Sequence, residues 1–391
     1  MSEFPLYLLE PADPGPEWAP FAGVRPVAEL RAGVWRIRER WEGILGAEAA
    51  AILGDHCAGF FEGAEPPVRP LGAVVGPCIV CASWFAPSGV PLELEADTAR
   101  LTHEGVTVAW IVGAGDRWEA PHEEGPAQEV EGLLLQGAYD VLTALEHLLP
   151  ADCVDFLASG GDPIPDGSIV IGEASEVLVM GAFVEPGVVF DTRGGAVVLD
   201  EGAQVRSGSR LEGPLYVGPQ TIILGGDVRG SVLGPQCRVR GEVAASVFHG
   251  YDNKAHDGFV GHSVLGHWVN LGAGTITSNL KNTYGPIRLE PAGRRLETGR
   301  QFLGSLIADH AKTAIGTLLG TGTIIGAGAN VFGAPVPRWV KPFSWGAAGI
   351  AVVTEDGFLE VAGRVLPRRQ VELTAERAAA LRATYRRLAG S

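Results

Sequence analysis

An aliphatic residue returns at every sixth position through much of this 391-residue chain. Leu199, Val205, Leu211, Val217 and Ile223 open the series. Leu233, Val239 and Ala245 resume it, followed by Leu265 and Leu271, then Ile307, Thr313, Leu319, Ile325 and Val331. Glycine often follows the aliphatic position, as in Val217-Gly, Leu265-Gly, Leu271-Gly, Leu319-Gly and Ile325-Gly. A period of six is neither helical nor a plain strand alternation. It fits a three-sided coil whose flat faces are short strands, with one aliphatic side chain per face pointing inward and a small residue at the corner. No single coil can bury its own aliphatic residues, so the coils must stack. The expectation is a parallel β-helix of roughly eight to ten coils.

The rest of the chain is read around that core. Residues 1–160 read as an α/β domain. Val34 to Leu45 has helix-like apolar spacing, Leu71 to Ala82 and Val106 to Val112 are strand-like apolar runs, and Leu133 to Leu149 reads as an amphipathic helix. Asp162-Pro-Ile-Pro-Asp-Gly punctuates the chain. The β-helix is expected over 165–346. An extension, 347–391, follows, with a final helix capped by Thr374, an apolar stripe of Leu381, Tyr385 and Leu388, and Arg377, Arg382, Arg386 and Arg387 exposed.

The hexad breaks twice. One break, Ala245 to Val264, carries a polar segment; the other, Lys281 to Gln301, carries an Arg-rich insertion. Extra residues must leave a regular coil as loops, where sites are usually built. A net charge of −16 argues against general nucleic-acid binding. No apolar run is long enough to span a membrane, and the first residues lack the pattern of a signal peptide. The five cysteines form no disulfide framework and read as buried thiols of a reduced, cytoplasmic protein. Cys78-x-x-Cys81 is a single pair, too few for a zinc site. All four lysines, Lys254, Lys281, Lys312 and Lys341, lie beyond residue 250.

Hexapeptide coils bearing His256-x13-Asn270-Leu-Gly-Ala-Gly-Thr-Ile-Thr-Ser-Asn279 resemble the acetyltransferase half of bacterial N-acetylglucosamine-1-phosphate uridylyltransferase/glucosamine-1-phosphate N-acetyltransferase. The whole chain is similar to a divergent, alternate bacterial branch of that bifunctional group, the sugar nucleotidyltransferases with a left-handed β-helix. The likeness rests on Arg25-Pro-Val-Ala-Glu-Leu-Arg31, Asn253-Lys-Ala-His-Asp-Gly-Phe259 and Ser278-Asn-Leu-Lys-Asn282. It implies a nucleotidyltransferase-like α/β domain, a left-handed parallel β-helix and a short C-terminal helix.

By that resemblance, His256 is the general base that takes a proton from a sugar amine attacking the acetyl-CoA thioester. Asn270 and Asn279 bind the sugar and its amide. Asn253, Lys254 and Lys281 join them as substrate contacts, the two lysines as phosphate anchors inferred from charge and proximity. Ala273, Thr275 and Lys312 are implied on the acetyl-CoA side, with no metal there. Such solenoids typically trimerise, so a homotrimer acting on sugar phosphate and CoA is implied. Phe259 stands where the family has a tyrosine.

In the first domain Arg25 and Arg31 are the candidate substrate contacts. Glu10-Pro-Ala-Asp-Pro-Gly-Pro-Glu-Trp replaces the usual glycine-rich phosphate loop, and its prolines remove amide donors. The candidate strand end, Val74-Val-Gly76-Pro77, lacks the Gly-Asp that binds metal. Nucleotidyl transfer with Mg²⁺ and a nucleoside triphosphate, and a degenerate domain kept for packing, both remain open. Two other readings of the solenoid stand beside acyl transfer. One is a carbonic-anhydrase-like hydratase using His256, His262 and His267, although the register points His267 outward. The other is a non-catalytic trimeric scaffold.

Overall fold

The computed structural model describes residues 4–89, 91–333, 335–349 and 351–389. The first domain is built on a seven-stranded mixed sheet. Its strand order is Ala127–Glu129, Arg100–His103, Val106–Val112, Cys78–Ala82, Leu6–Leu9, Ala49–Leu53 and Val68–Arg69. Helix α1 (Ile37–Leu45) and helix α2 (Val141–Leu157) accompany it. Two sequence expectations shift here. Leu71 to Ala82 divides into Val74–Val75 and the buried strand Cys78–Ala82. The helix expected from Leu133 starts instead at Val141, because Gly132–Leu134 pairs with Phe85–Pro87 as a strand. All five cysteines are buried free thiols.

From Ile169 to Trp345 the chain is a parallel β-solenoid with three faces. The first face runs from Ile169–Ile171 to Phe259–Gly261 and continues through Ile276–Thr277 and Leu318–Leu319, with Gly261 N donating to Thr277 Oγ1 (3.0 Å). The second face stacks nine strands, from Val177–Val179 to Trp339–Val340. The third runs from Phe183–Val184 to Ser344–Trp345 and ends on an antiparallel strand, Ala351–Val352. The inward hexad residues Leu199, Val205, Leu211, Val217, Ile223, Leu265, Ile307 and Ile325 form one buried column.

Three details of the coil differ from the sequence reading. Stacked partners Leu199 and Val217 are 18 residues apart, but Val217–Leu233, Leu233–Phe248 and Phe248–Leu265 are separated by 16, 15 and 17. The shortening puts Val243 in the column, and Ala245 turns out of it with φ 45°. The hexad glycines do not make the corner between the second and third faces. That left-handed position is taken in six coils by Gln220, Gln236, Tyr251, Trp268, His310 and Phe343, with φ from 55° to 65°, and in two others by Gly202 and Gly328, which do not follow a hexad aliphatic. The glycine before it is needed for close stacking: a Cβ on Gly266 would lie 2.1 Å from Asp309 Oδ1.

The second face turns an apolar outer surface to the first domain. Val198, Tyr216, Val232, Val247, Val264, Leu306 and Ile324 join the core of the α/β domain, with α2 lying across them. The Arg-rich insertion is a brace here. It folds as a hairpin, Arg288–Leu289 with Leu296–Glu297, and buries Ile287, Leu289 and Leu303 in the same core. Arg300 reaches α2, donating to Thr143 Oγ1 (2.7 Å) and pairing with Glu146.

The extension forms two helices, α3 (Glu355–Val365) and α4 (Ala375–Leu388), where one was expected. Thr354 and Thr374 cap them, accepting from Gly357 N (3.1 Å) and Arg377 N (3.3 Å). Leu381, Tyr385 and Leu388 pack toward Phe343 and Phe358. Arg377 and Arg387, expected in solvent, anchor α4 to the first domain by donating to Glu62 O and to Gly23 O (2.7 Å).

A buried ionic cluster ties the parts together. Arg25 donates to Asp309 through Nε (3.2 Å) and Nη2 (2.7 Å), and to Glu62 (2.9 Å). Glu62 also meets His267 Nδ1 at 2.7 Å, and Asp309 accepts from His267 N (3.1 Å). Burial works against the charge on Glu62, but Arg25 and His267 hold its carboxyl far below the usual range. Asp309→Ala would leave a buried guanidinium short of its partner. It should destabilise the fold by about 3–5 kcal/mol, read as a lower denaturant midpoint. An unchanged midpoint would show that the domains do not depend on this cluster.

Candidate active site

The polar segment occupies one coil and part of the next, so its side chains are distributed over faces and corners. Asn253–Lys254 is a third-face strand. His256 and Asp257 follow at the corner between the third and first faces, and Phe259–Gly261 is the next first-face strand. His262 makes the corner to the second face with φ 47°, and Val264–His267 is a second-face strand. Asn270–Leu271 then stacks on Asn253–Lys254.

His256 is exposed on an open ledge lined by Arg240, Asp257, Ala273 and Ile276. Arg240 Nε donates to Asp257 Oδ1 (3.0 Å) at the ledge's rim. Among the described residues, no hydrogen bond holds the His256 ring, whereas its carbonyl accepts from the Lys254 ammonium. The loop is therefore pinned from beneath and its imidazole is left accessible.

The structure brings some of the expected site residues together and separates others. Asn279 lies two residues past the first-face strand Ile276–Thr277, beside the His262 corner, with Nδ2 2.9 Å from His262 Nδ1. A Cβ on Gly261 would lie 2.4 Å from Phe259 Cζ and 2.8 Å from Asn279 Nδ2, so glycine there lets the ring and the amide lie side by side. His256, Phe259 and Asn279 thus border one face. Asn270 lies on the adjacent third face, where it accepts from Asn253 Nδ2 (2.7 Å) and stacks beneath Lys312. His256, Asn270 and Asn279 do not converge within one chain.

Several candidates have internal partners. Lys254 is buried, and its ammonium donates to Arg240 O (2.6 Å) and His256 O. Burial pushes it down to about 8. The Lys281 ammonium donates to Pro286 O inside the insertion. Thr275 Oγ1 donates to Gly272 O (2.8 Å) and lies 2.8 Å from Thr313 Oγ1. Arg25 is held in the ionic cluster. Arg31 is buried, donating to Val34 O and His249 O (3.4 Å), and burial lowers its pKa. Lys312 donates to His310 O (2.8 Å) at the edge of a groove beside α3.

His256 and His262 sit at two different corners and His267 ends a second-face strand, so the three imidazoles of the hydratase reading do not come together around one ion. His267, expected to point outward, is buried because the first domain covers its corner and supplies Glu62. Among the described residues, one set, Glu10, His56 and Cys57, has potential metal-ligand atoms close together. Both Glu10 oxygens already accept backbone N–H groups, from Val27 (2.7 Å) and Ala28 (3.0 Å), and Glu10 also meets His56 Nε2 at 2.9 Å. The sequence reading missed Glu10, because its role depends on the loop at Val27 folding back over it.

Residues 14–156 match the family model described as sugar nucleotidyl transferase. The chain is similar to bifunctional sugar-phosphate transferases. It is 33% identical over 157 residues to the bifunctional sugar-1-phosphate nucleotidylyltransferase/acetyltransferase of Sulfurisphaera tokodaii, covering 37% of each chain. It is 31% identical over 126 residues to the bifunctional protein GlmU of Methanococcus vannielii, covering 30% of this chain and 28% of that one. The GlmU protein of Methanocaldococcus jannaschii is 30% identical over 116 residues, covering 29% and 26%. The chain thus spans between 26% and 37% of the length of these relatives. Among the described residues, no helix is long and apolar enough to cross a membrane.

Lys254 gives a pH test of the ledge's support. Its folded pKa of about 8 lies below the ordinary value of 10.5, so between these values the unfolded chain holds more protons. Its contribution to stability therefore rises across that window. Comparing wild type with Lys254→Met by denaturant unfolding, the difference should shift toward wild type between pH 7.5 and about 9.5. A difference that ignores pH would contradict the burial of this ammonium.

Proposed function

We propose that the solenoid transfers an acetyl group from acetyl-CoA to the amine of an amino-sugar phosphate, with His256 as general base. One observation carries this reading. An accessible imidazole, free of side-chain partners among the described residues, stands on a rigid ledge beside the Phe259–Asn279 face. The amine nitrogen attacks the thioester carbonyl carbon while the imidazole takes its proton. The carbon–sulfur bond then breaks, and the proton passes to the departing thiolate, giving amide and free thiol. Asn279 is placed to orient the sugar from the far edge of the face.

An open ledge excludes little water, so the site needs a second wall. Ile276 on the ledge is continuous with Leu318 on the first face and Ile315 at its corner, which are 67% and 80% exposed. Such a patch favours another copy of the chain, and a homotrimer would set one copy's third face, with Asn270, against another copy's ledge. The enzyme would work in the cytoplasm on small molecules. Leu318→Glu should yield monomers by sedimentation and lose most acetyl transfer; an intact trimer would locate the interface elsewhere.

His256→Ala should slow acetyl transfer to glucosamine 1-phosphate by about a hundredfold or more, with an unchanged melting curve. Thiol release reports this with low background, because the protein's own cysteines are buried. An undiminished rate removes the base assignment.

Nucleotidyl transfer to a sugar 1-phosphate, using a nucleoside triphosphate and Mg²⁺, is the second reading, favoured by the family match over 14–156. The donor set at the carboxyl edge of the sheet weighs against it. Glu10 is engaged as described, Asp55 accepts from Leu71 N (3.1 Å), and Ser83 follows the central strand where a metal-binding carboxylate would be useful. Pyrophosphate release from a panel of sugar 1-phosphates and nucleoside triphosphates with Mg²⁺ tests it. We expect none at an enzymatic rate; rapid release would make the domain catalytic.

A further inference from the structure

On the third face the outward residues of successive coils form a column in register: Arg238, Asn253, Asn270, Lys312 and Asn330. The end of α3 and the turn after it lie alongside and bring Arg364, Arg368 and Arg369 to the same groove. Among the described residues, no aspartate or glutamate lines it. Asn253 Nδ2 already occupies Asn270 Oδ1, so Asn270 offers its N–H groups, as do Lys312 and the three arginines. Arg369 Nε donates to Gln236 O (2.9 Å), which fixes the turn onto the solenoid. Arg364 also pairs with Glu360 outside the groove.

Among the described residues lining the groove the positive charges stand close with no carboxylate between them, Glu360 reaching Arg364 only from outside. Burial lowers Lys312 to about 8. Burial and then the neighbouring Arg369 depress Arg238, and burial is the main cause of the depression at Arg369. An oxyanion would relieve this repulsion and satisfy the converging donors.

We propose that this groove binds the phosphate group of a substrate, between the solenoid's third face and the C-terminal extension. Asn253 precedes His256 by three residues on the same coil, about 10 Å of extended chain. A phosphorylated molecule held in the groove can therefore extend toward a ledge. Two ligands share this chemistry: the adenosine 3′-phosphate diphosphate end of coenzyme A and the 1-phosphate of an amino sugar. Assigning either to the groove rests on the acyl-transfer reading; the anion site itself does not.

Calorimetry on the full chain with adenosine 3′,5′-bisphosphate, glucosamine 1-phosphate and inorganic phosphate tests the proposal. At least one phosphate ester should bind saturably, and more weakly as salt rises. Arg364→Ala/Arg368→Ala, both exposed, should weaken it at least about tenfold, as should Lys312→Gln, while Arg382→Ala on α4 leaves it unchanged. His256→Ala should slow acetyl transfer by about a hundredfold or more yet keep phosphate binding, separating failure of the base from failure of the groove. Tighter bisphosphate binding assigns the groove to the acyl donor, and tighter sugar-phosphate binding to the acceptor. No saturable binding, or binding indifferent to both groove variants, overturns the proposal.

Discussion

Hydrogen bonding from coil to coil fixes every outward side chain of the solenoid on rungs about 4.8 Å apart. Once the aliphatic column sets the register, each face becomes a list of residues that must stack on one another. The second face stacks Val, Tyr, Leu and Ile, and the α/β domain covers it. The third stacks Arg, Asn and Lys, and the end of α3 and the turn after it approach it. The first ends in Phe259, Ile276 and Leu318 beside His256, and these three residues remain partly or largely open. One repeat therefore yields a domain interface, a cationic groove and a candidate reaction surface.

The inward residues could be read from sequence because an aliphatic every six positions has little other use. The exceptions have physical causes. Ala245 falls out of the column because the coils there lose residues at a corner, and spacing alone cannot say which corner gives way. The glycines after the aliphatics looked like turn residues, yet the turn is made by Tyr251, Trp268 and His310, which stack up the corner. Gly266 is required by the Asp309 carboxylate of the next coil, 43 residues further on in sequence. Contacts of that range leave no local signature.

The same limit governed the site. His256, Asn270 and Asn279 were recognisable as a set, but their placement on a corner and two faces follows from three-dimensional stacking. Arg25 was expected as a substrate contact, and the register pointed His267 outward. Both are buried, because Glu62 and Asp309 approach from opposite domains. The Arg-rich insertion looked like a binding loop and serves as a brace on α2. In each case charge was visible in the sequence and its counterion was not.

The account as a whole depends on the His256 ledge being where the thioester reacts. A crystal structure of the protein with coenzyme A bound measures this most directly. The account predicts the thiol sulfur beside a His256 imidazole, with a second copy of the chain closing the ledge. A sulfur lodged instead in the cleft beneath α4, which Phe60, Phe358 and Leu381 line, and far from any His256, would contradict it.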